Sequence, residues 1–292
     1  MRRLPFDVAY HAGADLAESP WWDADRAELL WVDLFAGEIH RLNPVSGRDR
    51  SITIGQPVGM VAGRQSGGVV CAVRDGVGFA DLDTETFTLV APIEVKITGN
   101  RMNDGACDAA GRLWVGTMAT DLTPSAGTLY CVTPELVVTP MLSHISISNG
   151  LDWSPDGRNL YFIDSLTRKV DVCDFEIATG EIQNRRTLFH TPNDIATPDG
   201  MAVDSEGTLW VAMWDGGCVR RYSTSGELIE IVELPVTRVT SVAFGGAQMD
   251  QLFITTARHG LSANQLLSEP LAGAIFVVEP RVPGQSPQLF GR

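Results

Sequence analysis

One short apolar phrase returns six times along this chain. It reads Leu29-Leu30-Trp31-Val32-Asp33, Val69-Val70-Cys71-Ala72-Val73, Leu113-Trp114-Val115-Gly116, Leu160-Tyr161-Phe162-Ile163-Asp164, Leu209-Trp210-Val211-Ala212 and Leu252-Phe253-Ile254-Thr255. Successive copies start 40, 44, 47, 49 and 43 residues apart. A period in the forties belongs to four-stranded propeller blades, which bury their faces against one another around a central axis. Six such units use nearly all of the 292 residues. The expectation is one all-β domain over 1–292, a six-bladed β-propeller with four antiparallel strands per blade.

The punctuation agrees. Clusters such as Asp23-Ala24-Asp25-Arg26, Pro155-Asp156-Gly157-Arg158 and Asp204-Ser205-Glu206-Gly207 precede the phrase and supply hairpin turns from an inner strand. Half-exposed third strands follow, as in residues 37–42, 127–132 and 218–222, and outer strands such as 229–234 come after further Gly-containing turns. Phe6 to His11 has no turn partner nearby, whereas Gly273 to Val278 is a late strand of the last unit. Their pairing would close the ring and leave no open sheet edge. Ala263 to Leu267 is the one short helical turn expected.

Composition narrows the functional classes. A net charge of −14 opposes the phosphate neutralisation on which nucleic-acid binding depends. No stretch approaches the ~18–20 apolar residues of a membrane span, and Arg2 and Arg3 precede no apolar run of signal-peptide length before His11. The five cysteines are odd in number and form no Cys-x-x-Cys pair, which suits buried, reduced thiols. A cytoplasmic protein without nucleic-acid or membrane partners is expected, as a monomer or weak homo-oligomer.

Ten or eleven residues before each phrase lies the start of an inner strand, occupied by Glu18, Val58, Asn103, Asn149, Asp199 and Ser241. A propeller brings these positions together at one mouth of its channel, and four of the six carry a carboxylate or carboxamide. Asp104-Gly105, Asn149-Gly150 and Asp199-Gly200 are turn dipeptides in isolation, with positive φ at one residue. Three in nearly one phase point instead to a common site. Its oxygen donors suit a hard or borderline divalent cation, and the lack of a thiolate or histidine cluster argues against structural zinc. The histidines share no phase, and no Gly-x-Ser-x-Gly elbow or phosphate loop appears.

At these residues the chain resembles the SMP-30/gluconolactonase/regucalcin family. The similarity runs from Leu16-Ala17-Glu18-Ser19-Pro20 through Arg101-Met102-Asn103-Asp104-Gly105, Ser148-Asn149-Gly150-Leu151-Asp152, Ile163-Asp164-Ser165 and Pro198-Asp199-Gly200-Met201 to residues 270–276. It implies a sugar-lactone hydrolase with one divalent metal held by Glu18, Asn149 and Asp199. Ca²⁺ is favoured, with Zn²⁺, Mn²⁺, Mg²⁺ or Fe²⁺ as alternatives. It further implies that the metal acts as Lewis acid on the lactone carbonyl, that Arg101, Asn103 and Asp121 bind substrate, and that Asp199 doubles as general base. Asp121 stands where several members carry a longer Glu, and residues 122–127 form a shorter lid than in animal regucalcins. Arg101 has a salt bridge to Asp104 or Asp121 as its structural alternative, and Met118 and Trp214 are either pocket walls or core. Organophosphate hydrolysis and a non-catalytic calcium-binding or interaction propeller are the competing readings.

Overall fold

In the computed structural model, which describes residues 4–192 and 195–291, six four-stranded antiparallel sheets follow one another in chain order. Blades 1 to 5 occupy residues 17–53, 58–92, 100–145, 148–190 and 197–233. Blade 6 is composite: its three strands from residues 239–278 are completed by Asp7–Tyr10, which pairs antiparallel with Ile275–Val278. The chain ends thus close the ring as the sequence predicts. The expected helical turn is the helix Ala263–Ser268, begun by a capping box between Ser262 and Gln265. No helix among the described residues is long and apolar enough to cross a membrane. Arg2 and Arg3 lie outside the described residues.

The apolar phrase forms the second strand of each blade, and it reads as a continuous apolar run because both faces are covered. In blade 1, Leu30 and Val32 pack towards Val61 and Cys71 of blade 2, while Leu29 and Trp31 pack towards Phe253 of blade 6. Alternate residues of one strand therefore hold opposite neighbours. Each fully buried side chain of this kind contributes about 1.5–3 kcal/mol. The tryptophans carry a second constraint, since a buried indole N–H needs an acceptor. Trp114 donates to Asp108 and Trp210 to Asp204, each aspartate lying six residues earlier in the hairpin turn. Those two aspartates, fully buried, also accept turn N–H groups and the guanidinium groups of Arg112 and Arg221, respectively.

The inner strands Ala17–Asp23, Val58–Gly63, Asn100–Cys107, Ser148–Trp153, Thr197–Val203 and Val239–Gly245 line the channel. Every one slips register against its second strand near its start: between Glu18 and Trp21, Val58 and Met60, Met102 and Gly105, Asn149 and Leu151, Pro198 and Met201, and Val239 and Ser241. Such bulges bend a strand and re-aim its side chains. This agrees with setting aside the turn reading of the Asx-Gly dipeptides. Gly150 and Gly200 sit within strands and do not have positive φ. They are small because the next blade is close: a Cβ on Gly150 would lie 2.7 Å from the Asp199 carbonyl oxygen, and one on Gly200 would lie 2.7 Å from Cα of Ser241.

The end of the channel remote from these bulges is crossed by residues 283–291. Gln285 donates to the carbonyls of Trp153 in blade 4 and Val203 in blade 5, and Phe290 bridges to Arg64 and packs into the core of blades 2 and 3. A cavity of about 310 Å³ lies between this tail and the bulges, lined in part by Asp104, Asp152 and Ser241.

Candidate active site

Two aspartates that end second strands set the approach of the chain to the mouth. The Asp33 carboxylate accepts from the N–H groups of Asp15 (2.9 Å) and Leu16 (3.2 Å), which fixes the segment leading into the strand of Glu18. Asp164 does the same in blade 4, accepting from Ser146 and Ile147 (both 3.0 Å) just before Asn149. Each carboxylate thus ties two consecutive backbone N–H groups, which holds the approach segment against its blade. Asp33 and Asp164 occupy the same phase of the repeated phrase, which was the available sequence signal for their role.

Glu18, Arg101, Asn103, Asn149 and Asp199 are all brought to this end of the channel and are each at least nine-tenths buried. Arg101, Asn103 and Asn149 form a hydrogen-bonded array, with the Glu18 and Asp199 carboxyl groups beside it. Arg101 donates to the Asn103 carboxamide oxygen (2.6 Å) and to the Met102 carbonyl (3.0 Å). The Asn103 amide donates to Ser148 O (2.8 Å) and to Oδ1 of Asn149 (2.9 Å). The Asn149 amide donates in turn to Oγ of Ser165 (2.8 Å). Arg101 thus makes its bonds within the array, and its charge faces Glu18 and Asp199 rather than forming a salt bridge with Asp104 or Asp121.

Electrostatics set this cluster apart from the rest of the surface. Burial pushes the Glu18 carboxyl up to about 8, with Asp104 adding repulsion and Ser19 N–H and Arg101 opposing. Burial likewise raises Asp199 well above the carboxylate range, reinforced by Glu18 and Asp104. Asp104, itself enclosed by the blades, is lifted to about 7. Arg101 falls to about 10 because burial outweighs its attraction to Glu18 and Asp199. Burial thus keeps protons on these carboxyl groups in the ion-free protein, because all three ionised beside the single charge of Arg101 would leave two negative charges shielded from bulk water. One divalent cation would neutralise them, and Glu18, Asp199 and Oδ1 of Asn149 offer it oxygen alone. No three His, Cys, Asp or Glu side chains are grouped for metal ligation among the described residues, so such a site depends on the carboxamide oxygen.

The other sequence candidates are distributed differently. Val58 and Ser241 complete the ring but bring no carboxylate. Asp121 is exposed in the loop after the strand Leu113–Ala119, where it caps the N–H of Thr123. Met118 is buried against the start of blade 4, bridging Ile147, and Trp214 packs on Leu16, Leu34 and Ala257 with Arg238 over its ring. All five cysteines are buried, as the sequence predicts. Sequence reasoning saw Asp104 as a turn residue or a salt-bridge partner of Arg101 and not as part of the electrostatic cluster, and it assigned nothing to Phe35. That ring is exposed in the loop after Asp33, with the Arg101 guanidinium 5.6 Å from its centroid.

A model of the SMP-30/Gluconolactonase/LRE-like region matches residues 16–258. The chain belongs to this family. It is 38% identical to regucalcin of Bos taurus over 284 residues, 95% of each chain. Among solved structures it is similar to a calcium-binding protein, regucalcin, from Agrobacterium tumefaciens, with a TM-score of 0.95 and 29% identity over 99% of this chain and 98% of that one. A luciferin-regenerating enzyme follows with a TM-score of 0.89 and 30% identity, covering 96% of this chain and 97% of the other. Family members therefore place the same six-bladed frame around their own sites.

Proposed function

We propose that this protein hydrolyses a sugar lactone to its aldonic acid with the help of one divalent cation, in the cytoplasm. The observation that carries the reading is the pair of buried carboxyl groups Glu18 and Asp199, gathered with Arg101 and the Asn149 carboxamide at one channel mouth. Glu18, Asn149 and Asp199 would hold the ion, Ca²⁺ first among the candidates because a calcium-binding relative shares the frame. When bound, such an ion polarises a carbonyl and lowers the cost of negative charge on its oxygen.

The remaining chemistry belongs to side chains of this chain. Arg101 and Asn103, fixed on one another, orient the lactone through its oxygens, and Phe35 offers an apolar face at the rim. Asp121, on the exposed loop, would contact substrate only at the distal hydroxyls of a longer sugar. Water adds through its oxygen to the carbonyl carbon while Asp199, which a bound cation would keep ionised, takes its proton. The ring C–O bond breaks, and the proton passes to the departing ring oxygen, giving the hydroxy acid. Burial of these side chains limits bulk water and strengthens each of these interactions.

The test is acid release from gluconolactone, xylonolactone, arabinolactone and galactonolactone, with chelated protein reloaded separately with Ca²⁺, Mn²⁺, Zn²⁺, Mg²⁺ or Fe²⁺. Turnover that needs an ion and disappears in Asp199→Ala is expected. Hydrolysis no faster than spontaneous opening with every ion, although an ion binds, would refute the lactonase and turn attention to phosphoesters or a binding role.

A further inference from the structure

The hydrogen-bonded array at the mouth has a direction. A guanidinium only donates, so the group that Arg101 meets at 2.6 Å must be the oxygen of Asn103. The amide of Asn103 then faces two acceptors, Ser148 O and Asn149 Oδ1. Turning Asn103 over would set its NH₂ against the guanidinium and its oxygen against a carbonyl, and both contacts are repulsive. Asn149 accordingly presents Oδ1 to this side, and its NH₂ points away, towards Oγ of Ser165 at 2.8 Å. Ser165 is buried and is the first residue of the short 3₁₀ turn Ser165–Thr167. Its backbone N–H bonds to Ile147 O, so the hydroxyl is held close to the strand that carries Asn149.

We propose that Ser165 is a positioning residue: by accepting from the Asn149 amide it holds the carboxamide in the orientation that Asn103 imposes, with its oxygen presented to the cation. This rests on the reading that Asn149 is a ligand. An asparagine offers a cation one useful end and one useless end, and a buried carboxamide without a partner for its NH₂ gains little from the correct orientation. Arg101 and Asn103 enforce the choice from one side, and Ser165 satisfies it from the other. Outer contacts of this type typically alter metal affinity by about 10–100-fold.

A carboxylate at position 149 provides the discriminating comparison, because both of its ends are oxygens and no orientation has to be chosen. Ca²⁺ and Mn²⁺ affinities would be measured by titration calorimetry for the wild type, Ser165→Ala, Ser165→Thr, Asn149→Asp and the Ser165→Ala/Asn149→Asp pair. Melting temperatures of the chelated proteins report on folding. Ser165→Ala should weaken binding by about 10–100-fold, with Ser165→Thr restoring it through the retained hydroxyl. In the Asn149→Asp background the same serine substitution should change affinity by no more than about twofold. An equal loss in both backgrounds, or no loss from Ser165→Ala, would overturn the positioning role while leaving the cation site intact. A wild type that binds neither ion would instead overturn the reading of Asn149 as a ligand.

Discussion

Raising the pH should destabilise the chelated protein, and a divalent ion should cancel that effect. Glu18 is the clearest source. Its folded value of about 8 lies above the ordinary 4.5, so the folded state keeps a proton that the unfolded chain releases in between. The associated stability is complete below about pH 4.5 and is lost as pH rises through 8. The gap corresponds to at most about 5 kcal/mol at 1.36 kcal/mol per pH unit, and channel water reduces it to about 2–5 kcal/mol. Asp199, Asp104 at about 7 and Asp152 at about 6 act in the same direction, each raised chiefly by burial. With an unfolding entropy near 2.1 cal/mol/K per residue, Glu18 alone corresponds to roughly 3–8 °C in melting temperature. Carboxylates held low at the surface, such as Asp83 and Asp174, lose stability only in acid, below this window. Arg101, at about 10, stays charged throughout. Because an ion and protons compete for the same oxygens, its stabilising effect should be slight at pH 5.5 and largest at pH 8.5. Scanning calorimetry of chelated and ion-loaded protein across that interval, with Glu18→Gln as control, measures both slopes. A chelated protein whose melting temperature is flat or rising from pH 5.5 to 8.5, or an ion effect equal at both ends, would refute the argument.

Two substitutions test the frame that positions the site. Gly150→Ala places a Cβ 2.7 Å from the Asp199 carbonyl oxygen and 2.8 Å from Met201 N; it should cost about 1–3 kcal/mol in urea unfolding, whereas Gly99→Ala, with open space around it, should be near neutral. Asp108→Ala strands the buried guanidinium of Arg112, otherwise 2.6 Å from Asp108, together with the Trp114 indole; the expected loss is about 3–5 kcal/mol, against almost none for Asp156→Ala at an exposed turn.

The parts of this molecule that were legible in its sequence are those governed by period and polarity. The six apolar phrases are buried on both faces, so they stand out against any background, and their spacing alone defines blade and ring. The unpartnered segment 6–11 announced the closing strand because a strand without a neighbour must find one elsewhere. Glu18, Asn103, Asn149 and Asp199 were legible for a related reason: charged or carboxamide groups at the buried start of an inner strand violate the local pattern. Arg101 and Asp121 came from likeness to relatives, and the structure separates them. Arg101 is locked into the array by its bond to Asn103, whereas Asp121 stays on an exposed loop.

What stayed hidden depends on register. A bulge leaves no compositional mark, and glycine beside Asn or Asp reads as a turn until neighbouring strands are in place. Here the glycines serve approach rather than curvature: blade 4 contacts blade 5 closely enough that Gly150 lies against the backbone of Asp199 itself. Two ring members, from strands 50 residues apart in sequence, are thereby set relative to each other by backbone packing as well as by side chains. The same bulges stop the strict alternation of the inner strands at the level where Asn103, Asp104, Asp199 and Gly200 fall between the paired residues on either side. Without that slip, consecutive side chains would point to opposite faces, and Asn103 and Asp104 would not both act on one channel. Asp104 can therefore share the electrostatic field of Glu18 and Asp199 while Asn103 aligns Asn149. The charge imbalance that calls for a cation arises from backbone register as much as from the acidic residues that carry it.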